Sequence, residues 1–282
     1  MRARGWSAGI AAALLLALPL RALAEEPDRR DLPPEIAPVA AAEAEKPGLL
    51  PAPRAVDMPI LVYHHVVPGR GGSEQTRALY VTPDGFEQQL KFLKDNFYRT
   101  VSFGDLADCL EYGLALPERP VIITFDDGWE NQFAYGFPLL QKYGFTATFF
   151  VVTGYLDSQN FMTTAQLKAM IAAGMTIGSH SRSHPALPSI GNPQRLNEIA
   201  GSKAWLEERL GVAIDTFAYP YGSYTAAVVA MTKAAGYRTA RTVDGGTHYT
   251  EGDLETLAGI IFPAFVGHYR DKIELAARET RR

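Results

Sequence analysis

The stretch Ile122-Ile123-Thr124-Phe125-Asp126-Asp127-Gly128 joins an apolar strand pattern to a pair of acids. Residues 121–125 are apolar or β-branched, as in a short strand buried on both faces of a parallel sheet. The run ends in two adjacent carboxylates and a glycine. A carboxylate at the end of a buried strand is costly to desolvate unless it meets a cation, a metal ion or hydrogen-bond donors. Asp-Gly is also a turn dipeptide, so a turn or helix cap is the competing reading of these residues taken alone. The pleat relaxes where a strand runs into a loop, so both carboxylates can converge on one site.

Outward from this strand the chain alternates between two periods. Strand patterns fall at 59–67, 100–102, 146–152, 175–179, 215–219, 237–243 and 256–262. Helical patterns fall after Thr82-Pro83-Asp84 and at 103–112, 131–143, 164–173, 193–210, 225–235 and 270–277, several of them stopped by glycine (Gly113, Gly144, Gly174, Gly211, Gly236). Such alternation implies βαβ units and a parallel sheet. In the roughly 225 residues from Met58 onward, the expected architecture is α/β: a single irregular (β/α)7–8 barrel of mostly parallel strands. An open doubly wound sheet is the alternative, but no Gly-x-Gly-x-x-Gly loop follows any strand.

The 282 residues are 47% apolar and 21% charged, with a formal net charge of −4. That is ordinary globular composition, and no basic block points to nucleic acid. Arg2 and Arg4, the apolar run 10–20 and Ala22-Leu23-Ala24 form an export-signal pattern over residues 1–24. The apolar run is short for a bilayer span and no cysteine stands near the cleavage pattern, so removal after Ala24 is expected, leaving no stable membrane anchor. The protein is therefore expected to be exported, either periplasmic or secreted. Residues 25–57, rich in Pro, Ala and Glu, read as a disordered spacer, and residues 58–282 as the folded domain. Cys109 is the one cysteine, so no internal disulfide is available; its helical neighbours Phe103, Leu106 and Leu110 make it a buried apolar residue.

In a parallel barrel the chemistry sits at the C-terminal strand ends, where two further polar clusters fall. Gly178-Ser179-His180-Ser181-Arg182-Ser183-His184-Pro185 follows the fourth strand pattern, and its two histidines, four apart, would share one face of a helical turn. Two histidines in a loop are a weak signal alone. Joined by Asp127 or Asp126, they would make a three-ligand set with an open position, the form in which catalytic zinc is held. The other carboxylate would be free to act as a base. Phe217-Ala218-Tyr219-Pro220-Tyr221-Gly222 is either an aromatic Pro-Gly turn or a loop whose backbone donors and rings face the site.

In this order and spacing, the Thr124–Gly128, Ser179–His184 and Tyr219–Gly222 clusters resemble the polysaccharide deacetylase family (the NodB-homology domain, carbohydrate esterase family 4). Leu61-Val62-Tyr63-His64-His65, Leu116-Pro117-Glu118-Arg119-Pro120 and Ser202-Lys203-Ala204-Trp205-Leu206-Glu207 resemble its branch of exported poly-N-acetylglucosamine deacetylases. The resemblance implies removal of N-acetyl groups from an acetylated polysaccharide, with Asp126 as general base. It implies that Asp127, His180 and His184 hold a divalent metal, usually Zn2+, with Co2+, Ni2+ or Mn2+ as alternatives. It also implies an oxyanion donor in the backbone N–H of Tyr221, with Tyr219, Pro220, His64 and His65 nearby.

The chain departs from the family pattern at two points. The arginine that pairs with the base in many members is replaced by Ala218, and Arg182 or Arg241 are the candidate substitutes. The family's late Leu-x-His segment has no clean match; His268 is the candidate general acid, with His64 or His65 as rivals. An O-acetyl esterase acting on xylan or another acylated glycan, and a catalytically weak glycan-binding homologue, remain the alternative readings.

Overall fold

The computed structural model describes residues 55–69, 72–73 and 76–261. The expected leader 1–24, the spacer up to residue 54, His268 and the helix expected at 270–277 lie outside the described residues. Paired backbone begins slightly before Met58: Val56–Asp57 lies antiparallel to His248–Tyr249.

Eight short strands carry the barrel: β1 (Ile60–Tyr63), β2 (Pro120–Phe125), β3 (Thr148–Val151), β4 (Thr176–Ser179), β5 (Thr216–Ala218), β6 (Thr239–Thr242), β7 (Leu257–Ala258) and β8 (Ile260–Ile261). From β1 to β7 each strand pairs in parallel with the next, and β8 pairs in parallel with β1. The ring is therefore closed by one segment broken at Gly259, whose first half belongs to one edge and whose second half belongs to the other. A side chain at Gly259 would not fit: a Cβ there would stand 2.7 Å from Val62 Cγ2 and 2.9 Å from Arg241 Cδ. Arg99–Thr100 adds a flanking pair beside the start of β2.

The helices form where their ends are capped. In α1 (Pro83–Asp95) the Thr82 hydroxyl accepts from Gly85 N–H and Pro83 opens the first turn. In α2 (Phe103–Tyr112) Ser102 and Asp105 cap each other's backbone, and Gly113 ends the helix at φ 73°. Inward and outward residues alternate along the strands. Leu61, Ile123, Phe149, Ile177, Phe217 and Ala240 pack into one cluster with residues of α1 and α4 (Thr164–Ala172). Ile60, Ile122, Phe150, Ala218 and Leu257 pack instead with Phe103, Leu106 and Leu110 of α2, which covers one end of the barrel. Phe150 fills the interior because Gly178 leaves it room: a Cβ at Gly178 would meet the Phe150 ring at 2.5 Å.

Two of the expected helices are not continuous. The helix expected at 131–143 starts as a π-helical segment, Gln132–Gly136, before α3 (Phe137–Tyr143). Pro138, in its first turn, lacks the N–H that would continue α-helical pairing backwards. The helix expected at 193–210 runs as α5 (Asn192–Leu196), a π segment Asn197–Gly201 and α6 (Ser202–Leu210). There the Ser202 hydroxyl bonds the carbonyls of Glu198 and Ile199, competing with the helical ladder. Each π segment carries a buried side chain, Gln132 or Glu198, toward the C-terminal rim of the barrel.

Candidate active site

Register sets the site. Tyr63 lies opposite Phe125, and Val151 opposite Ser179. Asp126 N–H then donates to Tyr63 O at 2.9 Å, and His180 N–H to Val151 O at 2.9 Å. The residues that follow these strands thus meet at one rim. They line an open cavity of about 330 Å3 with His64, Asp126, Asp127, His180 and His184 on its polar side and Leu79, Val243 and Ile261 on its apolar side.

Asp126 is 2% exposed and Arg241 fully buried, and they meet across the barrel with Arg241 Nη2 2.5 Å from both carboxylate oxygens. Burial alone would push the Asp126 carboxyl up; the charges of Arg241, His180 and His64 outweigh it and hold its pKa below the ordinary value. Arg241 also donates through Nη1 to Thr242 O at 3.0 Å. Gln132 anchors the backbone on the other side, its amide nitrogen donating to the carbonyls of Asp126 (2.5 Å) and His64 (2.7 Å). His64 Nε2 lies 3.8 Å from Asp126 Oδ2. Its Nδ1 is buried without a hydrogen-bond partner among the described residues.

Asp127 faces the other way. Its Oδ1 lies 3.7 Å from His180 Nε2 and 3.5 Å from His184 Nε2, and the two Nε2 atoms stand 3.1 Å apart. Burial drives the His180 imidazole down to about 4 and lowers His184 as well, so both rings are neutral near pH 7. His180 Nδ1 sits 2.7 Å from Ala218 O, an acceptor only, so the proton is on Nδ1 and the Nε2 lone pair is directed at Asp127 and His184. Two neutral nitrogens facing each other beside a carboxylate call for a shared proton or a shared cation. The donor set, one oxygen and two imidazole nitrogens with a fixed tautomer, fits a divalent metal ion.

The loops that deliver these groups are locally strained. Asp127, Ser181, His184 and Tyr221 have φ of 75°, 68°, 60° and 59°, a region non-glycine residues seldom occupy. The two histidines therefore converge from a loop, not from the helical turn expected from their spacing. Glu198 explains part of the loop's shape. Its carboxylate accepts from the backbone N–H groups of Arg182 and Ser183, each at 2.8 Å, and from the Ser183 hydroxyl at 2.7 Å. On the opposite side, Thr153 N–H and Gly154 N–H donate to the carbonyls of Ser181 and Arg182.

Of the residues named from sequence, Asp126, Asp127, His180, His184, His64, Tyr219 and Tyr221 all border the one cavity. Pro220 is buried beneath the loop and places Tyr221, 67% exposed, with its ring 4.5 Å from His184. His65 is packed elsewhere, stacked on Tyr80 (4.3 Å) and tilted against Trp129 (4.5 Å) with its Nδ1 bonded to Asn131; burial lowers its pKa to about 4. Of the two candidate arginines, Arg241 meets Asp126, whereas Arg182 is exposed and donates to Asn197 Oδ1 at 3.2 Å. Glu198, Gln132 and Trp129 were not singled out from the sequence. Gln132 and Glu198 read as ordinary polar residues of helical patterns, and Trp129 as an aromatic in a turn.

The fold and the acidic and histidine clusters define a known class. Residues 114–240 match the family described as polysaccharide deacetylase. YxkH of Bacillus subtilis (strain 168), which carries the same family name, is 30% identical over 189 residues, 67% of this chain and 65% of that protein. A Staphylococcus aureus (strain MRSA252) protein named poly-beta-1,6-N-acetyl-D-glucosamine N-deacetylase is 26% identical over 180 residues, 59% of this chain and 62% of its own length. The chain thus spans a little under two thirds of each of these relatives. Among solved structures, the Streptococcus pyogenes deacetylase PplD in complex with acetate is similar with a TM-score of 0.70 and 28% identity, over 77% of this chain and 98% of that one.

Proposed function

We propose that the protein is a metal-dependent hydrolase that removes N-acetyl groups from an N-acetylglucosamine-containing polysaccharide. The observation that carries this reading is the division of labour between adjacent carboxylates: Asp126 is held by Arg241, and Asp127 faces two neutral imidazoles. Asp127, His180 and His184 would hold the metal, which we take to be zinc. When bound, a divalent metal lowers the pKa of water and polarises an amide carbonyl.

The chain's own residues supply the rest. Asp126, kept ionised by Arg241, accepts the proton of the attacking water. The backbone N–H of Tyr221 donates to the oxygen that gains charge as the acetamide carbon becomes tetrahedral. His64, across the cavity from His184 and 3.8 Å from Asp126, delivers a proton to the departing amine. This gives His64 the role that His268 would otherwise take. Leu79, Val243 and Ile261 offer the acetyl methyl an apolar wall, and Tyr221 offers an exposed ring to the sugar. The products are acetate and a free amino sugar. The name of the Staphylococcus aureus relative supports the polymer class, and the export-signal pattern supports a periplasmic or secreted location.

Acetate release from N-acetylglucosamine oligomers, measured with chelator and after zinc is restored, tests this. Metal-dependent acetate is expected. No acetate from metal-loaded protein, with release from O-acetylated xylan instead, would overturn the N-deacetylase reading in favour of an esterase.

A further inference from the structure

Asp127 has two oxygens, and they meet different partners. Oδ1 faces the imidazoles of His180 and His184, while Oδ2 accepts the indole N–H of Trp129 at 2.9 Å. The indole is not free to follow the carboxylate. Its ring is stacked on Phe161 at 4.3 Å and lies tilted against His65 at 4.5 Å, and Trp129 and Phe161 form a backbone bridge. Gly128, at φ 84°, sets the turn, with its carbonyl bonded to Met162 N–H at 2.9 Å and Glu130 N–H bonded to Asn160 O at 2.9 Å. Turning Asp127 so that both oxygens ligate one ion would break the indole bond and leave a half-buried N–H without its acceptor.

We propose that Trp129 is a positioning residue that commits Asp127 to ligation through one oxygen and thereby biases the site toward a small ion of low coordination number, zinc over manganese. The proposal rests on the reading that Asp127, His180 and His184 hold a divalent metal. Zinc is satisfied by four ligands including single carboxylate oxygens, whereas harder ions that favour oxygen donors and higher coordination gain from a second one. Trp129→Phe keeps an aromatic ring against Phe161 and removes the donor together with part of the indole's packing surface, which Phe161→Leu controls for.

The test is the pair of dissociation constants for zinc and for manganese, measured by chelator competition on the full chain and on the Trp129→Phe and Phe161→Leu variants. Trp129→Phe is expected to bind zinc about 10- to 100-fold more weakly, the usual range for loss of such a supporting group, with manganese affinity changed far less. Phe161→Leu, which disturbs packing and spares the N–H, is expected to keep the zinc preference. Equal loss of both ions in Trp129→Phe assigns the residue a packing role and overturns the proposal, as does no change in either. If the unsubstituted protein binds neither ion, the metal reading itself fails. A second measurement needs no variant of Trp129. In protein with isotope-labelled indoles, assigned by Trp6→Phe and Trp205→Phe, added zinc should shift the Trp129 N–H resonance and leave Trp205, which lies under Arg209, in place. A Trp129 resonance unmoved by saturating zinc overturns the proposal.

Discussion

Arg241 reaches across the barrel to hold Asp126, 115 residues earlier in the chain, with one guanidinium nitrogen 2.5 Å from each carboxylate oxygen. The pair is not spelled out by any local motif. It exists because β6 and β2 face each other across a closed ring. The arginine that the family resemblance leads one to expect at Ala218, in Thr216–Ala218, is supplied here by the next strand, Thr239–Thr242.

Removing that cation should act on both stability and pH dependence. Arg241→Met leaves a buried carboxylate without its partner, and a loss of about 3–5 kcal/mol is expected in denaturant unfolding. The sign for activity follows from the lowered Asp126 pKa: the base is ionised in the native protein well into the acid range, and without Arg241 its pKa rises. The acid limb of the kcat/KM profile should therefore move to higher pH. An unchanged acid limb would show that Arg241 does not control the ionisation of the base.

Asp126 and the donor set should separate by substitution. Asp126→Asn is expected to keep bound metal while kcat/KM falls about 10²- to 10⁴-fold, the usual contribution of a general base. His180→Ala is expected to lose metal and turnover together. Metal analysis alongside acetate release checks both; undiminished deacetylation by Asp126→Asn would sink the assignment of the base.

Glu198 should matter although it touches neither the proposed metal donors nor the cavity's polar side. Glu198→Ala removes a charged acceptor of three hydrogen bonds to the histidine loop, and about 1.5–3 kcal/mol of stability should go with it. Zinc affinity should fall about tenfold because the loop loses its shape. Glu198→Gln should lie between, since an amide retains one accepting oxygen. Full zinc affinity in Glu198→Ala would show that the contacts from Thr153 and Gly154 suffice.

Gly259→Ala tests the closure of the ring. The new methyl would stand 2.7 Å from Val62 Cγ2, 2.9 Å from Arg241 Cδ and 2.9 Å from Thr242 O, closer than carbon atoms approach. A loss of about 1–3 kcal/mol is expected. Because one of the displaced groups is Arg241, activity should fall more than the melting temperature suggests, and the pH profile should shift as in Arg241→Met.

Alkaline pH should reveal the buried phenols. Burial raises the pKa of Tyr219, Tyr237 and Tyr249 far above the ordinary 10.0. A raised folded pKa means that the folded form keeps protons the unfolded chain would release. The associated stability is therefore full below pH 10 and declines as pH rises past it. An ultraviolet titration of tyrosinate should show a fraction of tyrosines that ionise only on unfolding. Smooth titration of every tyrosine in folded protein would contradict their burial.

Much of this architecture is written locally. Strand and helix periods, Gly113 and Gly144 as helix stops, and the acids after Phe125 are properties of neighbouring residues, so the barrel and its active rim can be read from them. The histidine pair is legible as a pair, but its conformation is not: Ser181 and His184 take left-handed backbone angles because Glu198 and the strand extension at Thr153–Gly154 hold the loop from outside. The choice between Arg182 and Arg241 is equally invisible in one dimension, since it depends on which strand faces β2. Trp129 stands two residues after Asp127 and reads as an aromatic in a turn; only the geometry shows its N–H on the carboxylate.

The broken segment around Gly259 makes closure of the ring depend on a contact between distant parts of the chain. Ile260 and Ile261 pair with Leu61 and Val62, almost 200 residues earlier, so the first strand waits for the last before it has two neighbours. Contacts of such sequence separation are slow to form, because the loop entropy is spent before the pairing repays it. A nascent chain that has emerged only as far as residue 250 holds Asp127, His180 and His184, the proposed metal donors, and still lacks the segment that seals the ring. Assembly of the proposed site thus depends on a contact between segments far apart in the chain.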